Sequence, residues 1–278
     1  MVRPVLLIIA IGAQWLGCVP VTTVSAAEPG GRAVILDDNQ AYTKGSFTAF
    51  MAPFNKGKLK AGTDYTERFE LDPVRFPGNS FVSWHWPAAR ADGPIRGFIA
   101  VDYGDYENTT PEAPIQSAKV DDIDRLSCDY QLSLDGDVSS FDVIIDFYLT
   151  SIRATADDDF DKSTKFEVEI FLHTPDYAKS YADSVPPVGT FISKSGVVWN
   201  VSRDPTAPHG PDILFYPSDQ ADIPTGNIDI KAMLSWLKSQ NVITGREYFN
   251  GLALGVEPRQ LDGTLAVHDL RVRYAVSE

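Results

Sequence analysis

Residues 165–173 read Lys165-Phe166-Glu167-Val168-Glu169-Ile170-Phe171-Leu172-His173. Successive side chains of a strand point to opposite faces. Phe166, Val168, Ile170 and Leu172 therefore form one continuous apolar face, and Glu167, Glu169 and Phe171 form the other. The first face requires a core; the second sets two carboxylates beside an aromatic ring. The run Val143-Ile144-Ile145-Asp146-Phe147-Tyr148-Leu149 divides in the same way. Val143, Ile145, Phe147 and Leu149 point one way, and Ile144, Asp146 and Tyr148 the other. Asp146 is thus a mid-strand carboxylate among apolar residues and needs a partner if buried. In residues 250–258, Leu252, Leu254 and Val256 make the core face, opposite Gly251, Ala253, Gly255 and Glu257. Glycine weakens a strand unless something approaches the backbone closely, so this face is expected to form an open trough that ends at an acid.

Outward from these three runs, further short strands are expected at 45–53, 66–71, 80–86, 95–103, 129–134, 197–202, 213–216 and 265–274, between clusters of turn-forming residues. Many short strands with frequent turn signals imply a sandwich or a barrel. One helix stands out: Ile230, Met233, Leu234 and Leu237 make a single apolar stripe, with Asp229 before it and Lys238 at its end. It reads as a structural helix packed on the sheets. An all-β chain of 278 residues is expected to form one domain with an ample core.

The net charge is -14, from 24 basic and 38 acidic residues. That balance disfavours nucleic acid and anionic membranes as partners. Residues 1–27 have the pattern of a secretory signal: Arg3, an apolar run over 5–12, and small residues ending at Ala26 and Ala27. The run is too short to span a bilayer. The expected mature domain is 28–278, secreted or periplasmic and monomeric. Removing the signal takes Cys18 and leaves Cys128 alone, so no disulfide within the mature chain is expected. The four histidines lack metal-ligand spacing, and neither a metal nor a cofactor is expected.

Cleaving a glycosidic bond requires two carboxyl groups, one to protonate the departing oxygen and one to attack or to activate water. Glu167 and Glu257 meet that requirement from strands far apart in sequence; alternation alone equally allows surface acids that face only solvent. Trp84 and Trp86 share one face of their strand and either stack on a sugar or pack in the core. Ser83 and His85, on the other face, would make poor core.

Taken together, these motifs resemble glycoside hydrolase family 12, the endoglucanases and xyloglucan hydrolases, over roughly residues 47–274. Glu167-Val-Glu-Ile-Phe-Leu172 is similar to the family's nucleophile strand, Glu-aliphatic-Met-Ile-Trp-Leu. Gly255-Val-Glu-Pro258 is similar to its Gly-Thr-Glu-Pro acid/base motif, and Asp146-Phe-Tyr-Leu149 to the strand beside the nucleophile. Trp84-His-Trp86 followed by Ile95-Arg-Gly-Phe98 resembles its Trp-x-Trp and Val-Lys-Ser-Tyr stretch. The resemblance implies an all-β jelly-roll sandwich of two antiparallel sheets, with a concave cleft and one packed α-helix. It implies retaining, endo-acting hydrolysis of a β-1,4-linked glucan (cellulose-like, xyloglucan or mixed-linkage) without a cofactor. Glu167 would be the nucleophile, Glu257 the acid/base and Asp146 the support of Glu167. Sugar contacts would come from Trp84, Trp86, Phe54, Tyr148, Glu169, Phe171 and Arg259.

The departures from the family pattern lie among those contacts. Glu169 stands where the family has Met, about 6.5–7 Å along the strand from Glu167. A second charge there raises the carboxylates' proton affinity or calls for a cation. Arg259, where an aromatic usually follows Glu-Pro, is the candidate cation. Phe171 and Phe54 replace tryptophans. The alternative to a glucanase is a non-catalytic or substrate-shifted glycan-binding sandwich on the same scaffold.

Overall fold

A computed structural model describes residues 22–23, 33–89, 93–106, 115–153, 160–208 and 210–277. Apart from 22–23, the signal segment expected over 1–27 lies outside the described residues. The alternating runs become strands. In chain order these are β1 (Thr22–Thr23), β2 (Val34–Leu36), β3 (Gln40–Lys44), β4 (Phe47–Pro53), β5 (Thr66–Leu71), β6 (Ser80–Trp86), β7 (Gly97–Gly104), β8 (Ala118–Lys119) and β9 (Ile123–Gly136). They continue with β10 (Phe141–Thr150), β11 (Thr164–His173), β12 (Pro187–Ile192), β13 (Val198–Asp204), β14 (Asp212–Pro217), β15 (Thr225–Ile228), β16 (Tyr248–Phe249), β17 (Gly251–Pro258) and β18 (Leu261–Val276). Helices are α1 (Phe160–Ser163), α2 (Asp176–Ser184) and α3 (Ile230–Ser239).

The larger sheet runs β1-β3-β4-β7-β17-β10-β11-β14-β13-β12, with β16 and β8 joined at β10. The smaller runs β15-β9-β18-β6-β5-β2. Most pairings are antiparallel, but β11 pairs β14 in parallel, as β1 does β3. The two expected antiparallel sheets are present, with parallel pairing at only those two seams among the described residues. The parallel seam at β11–β14 follows from the connection between them, in which α2 and the hairpin β12–β13 bring the chain back to the same end of the sheet.

The interior lies between the sheets. Val143, Ile145, Phe147 and Leu149 of β10, Val168, Ile170 and Leu172 of β11, and Leu252, Leu254 and Val256 of β17 all enter it, as their parity requires. Each such side chain, removed from water, contributes roughly 1.5–3 kcal/mol. β10 is buried on both faces along its whole length, so its second face must be covered by something besides the core.

Trp84 and Trp86 belong to this interior and not to a sugar site, which corrects the contact implied for both. They project from β6 of the smaller sheet, 3% and 0% exposed. Trp86 stacks on Tyr65 with ring centroids 4.0 Å apart and donates Nε1 to Glu67 Oε1 at 3.0 Å. Trp84 meets Phe141 edge to face. The opposite face of β6 is wet: His85 hydrogen-bonds Asp262 of β18 at 2.7 Å. Polar residues on that side settle the orientation. Cys128 is buried and unpaired within the same core, and burial pushes its thiol up.

The helix read from the stripe is α3, with Ile230, Met233, Leu234 and Leu237 buried. The Asp229 carboxylate caps it by accepting from the Ala232 amide at 3.0 Å. Helix α2 was not foreseen. Its only buried residues are Ala178 and Ala182, one turn apart, a stripe too small to register as an apolar pattern.

Candidate active site

The second face of β10 is the floor of the site. Register across the larger sheet sets acids of neighbouring strands against one another in four places, the outermost being Asp204 of β13 opposite Asp212 of β14. Asp142 of β10 is opposite Glu257 of β17. Asp146 of β10 is opposite Glu169 of β11, and Glu167 of β11 is opposite Asp212 of β14. The acids picked out by parity thus share one face, and Asp142, Asp212, Asp204 and Asp102 join them.

At the first pair, Glu257 is held well above the usual carboxylate range by burial, then by the charges of Asp142, Asp146 and Glu167, and by its hydrogen bond to Asp142. Burial raises Asp142 as well. The Tyr177 hydroxyl, His173, the bond from Glu257 and Arg259 each act to lower it, with Tyr177 donating at 2.8 Å. Glu257 therefore keeps the proton and Asp142 accepts it. At the other end, Glu167 accepts a 2.8 Å hydrogen bond from Tyr148. Asp212 is raised by burial, by the charge of Glu167 and by its hydrogen bond to Glu167, so Asp212 favours its protonated form beside Glu167. Asp146, between the pairs, accepts from the Tyr106 hydroxyl. Glu169 is half-buried and pushed well up by burial, then by Glu167, Glu257, Asp212 and Asp146. One oxygen each from Glu167, Glu169 and Asp212 lie within 4.8 Å of one another.

Two features narrow the site. Helix α2 leaves β11 and lies on the same sheet face, where Ala178 and Ala182 pack with Phe171, Leu214 and Tyr216. Tyr177 reaches Asp142, and Tyr181 donates to Asp204 at 3.0 Å and to Asp212 at 3.4 Å. The helix is thereby tied to both proton-sharing pairs. Second, the trough expected beside Glu257 is filled by the protein itself. A Cβ on Gly255 would stand 2.7 Å from the Phe98 ring and 2.5 Å from Ala100 Cβ, and one on Gly251 would meet the Tyr103 carbonyl at 2.5 Å. These small residues make room for β7.

The remaining expected contacts fall as follows. Phe171 is buried under α2, and Phe54 packs half-buried at the edge of the same cluster beside Phe50. Tyr148 is buried, with its hydroxyl committed to Glu167. Arg259 donates Nε and Nη2 to the Gly93 carbonyl at 3.0 and 2.6 Å and lies 3.9 Å from the Tyr177 ring centroid. It serves the Glu257–Asp142 end, which corrects its expected place as the cation beside Glu169. Asp142 could have been found from parity, since it lies on the Asp146 face four residues earlier; Asp212 had no such signal without the pairing of β14.

A separate open groove of about 590 Å³ lies on the smaller sheet and α3, lined by Asp124, Arg125, Asp129, Lys194, Lys231 and Arg273 among others. Its charges are of both signs and partly paired, as in Arg273–Asp129 at 2.8 Å, and it lacks buried acids. The buried acids cluster at the carboxylate row instead.

The fold and the row define a β-jelly roll that presents buried carboxyl pairs on the concave face of its larger sheet. Solved structures that share this fold include family 12 glycoside hydrolases. A Bacillus licheniformis family 12 xyloglucanase in complex with ligand superposes with a TM-score of 0.66 at 15% identity, covering 88% of this chain and 100% of that one. Trichoderma harzianum endoglucanase 3 gives 0.67 at 14%, over 90% and 100%. The catalytic domain of Humicola grisea Cel12A, solved with a soaked thio-cellotetraose, gives 0.65 at 16%, over 88% and 99%. At these identities the likeness is one of fold. No protein-family model and no curated protein matches the sequence.

Proposed function

We propose that the chain is a retaining glycoside hydrolase that cuts within a β-1,4-linked glycan, with Glu167 as nucleophile and Glu257 as acid/base. The observation that carries this reading is the placing of the two glutamates on one sheet face, each against a carboxyl partner of the next strand: Glu257 opposite Asp142, and Glu167 opposite Asp212 while accepting from Tyr148. Burial and the neighbouring acids raise Glu257 above the usual carboxylate range, as the acid role demands. In the first step Glu257 gives its proton to the departing oxygen as Glu167 bonds to the anomeric carbon. In the second, Glu257, now ionised, takes a proton from water, whose oxygen displaces Glu167. Asp146 supports Glu167 from the neighbouring strand.

The fold likeness to enzymes named as endoglucanases and xyloglucanases supports a glucan-type backbone as substrate. The filling of the trough by Phe98 favours a second reading, a sandwich that binds glycan without cutting it. An activated 2-deoxy-2-fluoro glycoside followed by mass spectrometry tests the roles: labelling is expected at Glu167, and Glu167→Gln and Glu257→Gln should each abolish release of reducing ends. Full activity in either variant refutes the assignment; binding without turnover by the unaltered protein establishes the second reading. The signal-like pattern of residues 1–27 supports export, which N-terminal sequencing of the exported product would check; a monomer is the expected form, which sedimentation would check.

A further inference from the structure

Helix α2 presents two tyrosines to the acids of the larger sheet. Tyr177 and Tyr181 are four residues apart, one helical turn, and so share a face. The Tyr177 hydroxyl donates to Asp142 Oδ2 at 2.8 Å, and Asp142 stands opposite Glu257. The Tyr181 hydroxyl lies 3.0 Å from Asp204 Oδ2 and 3.4 Å from Asp212 Oδ2, and Asp212 stands opposite Glu167. Burial, then the charge of the nearby acids, raises both phenols, so both remain donors. The helix has other fixings as well. Ala178 and Ala182 pack in one cluster with Phe171, Asp183 accepts from the Tyr216 hydroxyl at 2.9 Å, and Asp176 accepts from Gln220 at 3.0 Å. The Arg259 guanidinium, 3.9 Å from the Tyr177 ring centroid, holds that ring from the Glu257 strand.

We infer that Tyr177 and Tyr181 are positioning residues for the two ends of the reaction: Tyr177 holds Asp142 as the acceptor that faces Glu257, and Tyr181 holds Asp212 beside Glu167. The inference rests on Glu257 being the acid/base and Glu167 the nucleophile. Two carboxyls that face each other share one proton, and either can hold it. A donor fixed on Asp142 stabilises its anion, which keeps the proton on Glu257, where it can pass to the departing oxygen. Without that donor the proton can rest on Asp142, and Glu257 has none to give. At the other pair, a hydroxyl fixed on Asp212 keeps that carboxyl turned toward Glu167; without it the neighbour that orients the nucleophile can swing away. The two losses differ in kind. Glu167 must bond to the anomeric carbon whatever group leaves, whereas the proton of Glu257 matters only to a leaving group that needs one.

Two substrates separate these roles: a cello-oligomer, whose departing oxygen takes a proton, and its 2,4-dinitrophenyl β-glycoside, whose phenolate leaves as the anion. In both, kcat/KM reports formation of the bond between Glu167 and the anomeric carbon. Tyr177→Phe should lower kcat/KM about tenfold on the cello-oligomer, the scale of one hydrogen bond to a charged group, and change it less than about twofold on the dinitrophenyl glycoside. Tyr181→Phe should lower it about tenfold on both. Each variant removes one hydroxyl from the same helix, so a mere loosening of α2 would slow both substrates in both proteins. Equal slowing of the two substrates by Tyr177→Phe, or unchanged kinetics in either variant, overturns the inference and leaves the hydrolase standing. Glu257→Gln tests the reading beneath it and should show the Tyr177→Phe split more strongly. Equal loss on both substrates in Glu257→Gln, or no cleavage of either by the unaltered protein, overturns the assigned roles and the inference with them.

Discussion

Glu67 offers a quantitative test of the core that holds Trp86. Its carboxyl is 7% exposed and accepts from Trp86 Nε1 through Oε1, and its Oε2 has no hydrogen-bond partner among the described residues. Burial, the largest cause, and the charge of Asp38 push its ionisation from the ordinary 4.5 up to about 8, against the pull of the Trp86 bond and of Lys56. The folded protein therefore binds one more proton than the unfolded chain throughout that interval, so stability falls as pH rises. The contribution is fully present below about pH 4.5 and gone above about pH 8. At 1.36 kcal/mol per pH unit the loss across the whole interval is roughly 5 kcal/mol, with about 3 kcal/mol of it gone by pH 7.

Glu67→Gln keeps the Oε1 acceptor and cannot ionise. Its stability should match that of the unaltered protein near pH 4 and exceed it by about 3 kcal/mol at pH 7, a melting temperature about 6–12 °C higher for a chain of this size. Urea unfolding of both proteins, followed by tryptophan fluorescence from pH 4 to 9, gives the difference directly. Curves that run parallel across the range would show that Glu67 ionises freely, and the sealed Trp86–Glu67–Tyr65 core would have to be abandoned.

Four other perturbations are equally definite. Gly263→Ala puts a methyl 2.1 Å from the Trp84 ring and should cost about 1–3 kcal/mol in urea unfolding; an unaffected midpoint would mean that Trp84 does not lie over β18. Asp142→Asn removes the charge that helps keep the proton on Glu257, so the basic limb of the pH profile of kcat/KM should move to lower pH, and a fixed limb would dismiss the pair. Tyr148→Phe withdraws a 2.8 Å donor from a charged carboxylate; kcat/KM should fall about tenfold to a hundredfold, and unchanged kinetics would release Glu167 from that partner. Asp229→Ala removes the cap of α3 and should cost about 1 kcal/mol, read as a melting temperature about 2–4 °C lower; no change would mean that the cap is redundant.

Parity was legible throughout the sequence because it is local. It placed Val168, Ile170, Leu172, Leu254 and Val256 in the core, and it put Glu167, Glu169, Asp146 and Glu257 on one common side. For β6 it left two orientations open, although Ser83 and His85 leaned toward the one observed. Register is not local. The sharing of a proton between Asp212 and Glu167 depends on a parallel pairing formed after α2 and two intervening strands, and no alternation within 212–217 announces it. Short strands such as β2 and β15, and a helix seated on two alanines, fell below what periodicity can detect.

Small residues in a strand leave space, but steric room is claimed by whichever group arrives first. At Gly255 that group is Phe98 from the adjoining strand. A glycine-lined face is open only where the neighbouring strand does not fill it, which alternation within one strand does not reveal. Charge, by contrast, is not satisfied by packing: buried carboxyls must find protons, donors or a counter-charge. On the concave face they find hydroxyls at Tyr106, Tyr148, Tyr177 and Tyr181 and share protons with one another. Keeping so many acids together on one sheet face works against stability. Their persistence there, in a fold that could have filled the same positions with apolar side chains, is the physical reason to look for catalysis at Glu167 and Glu257.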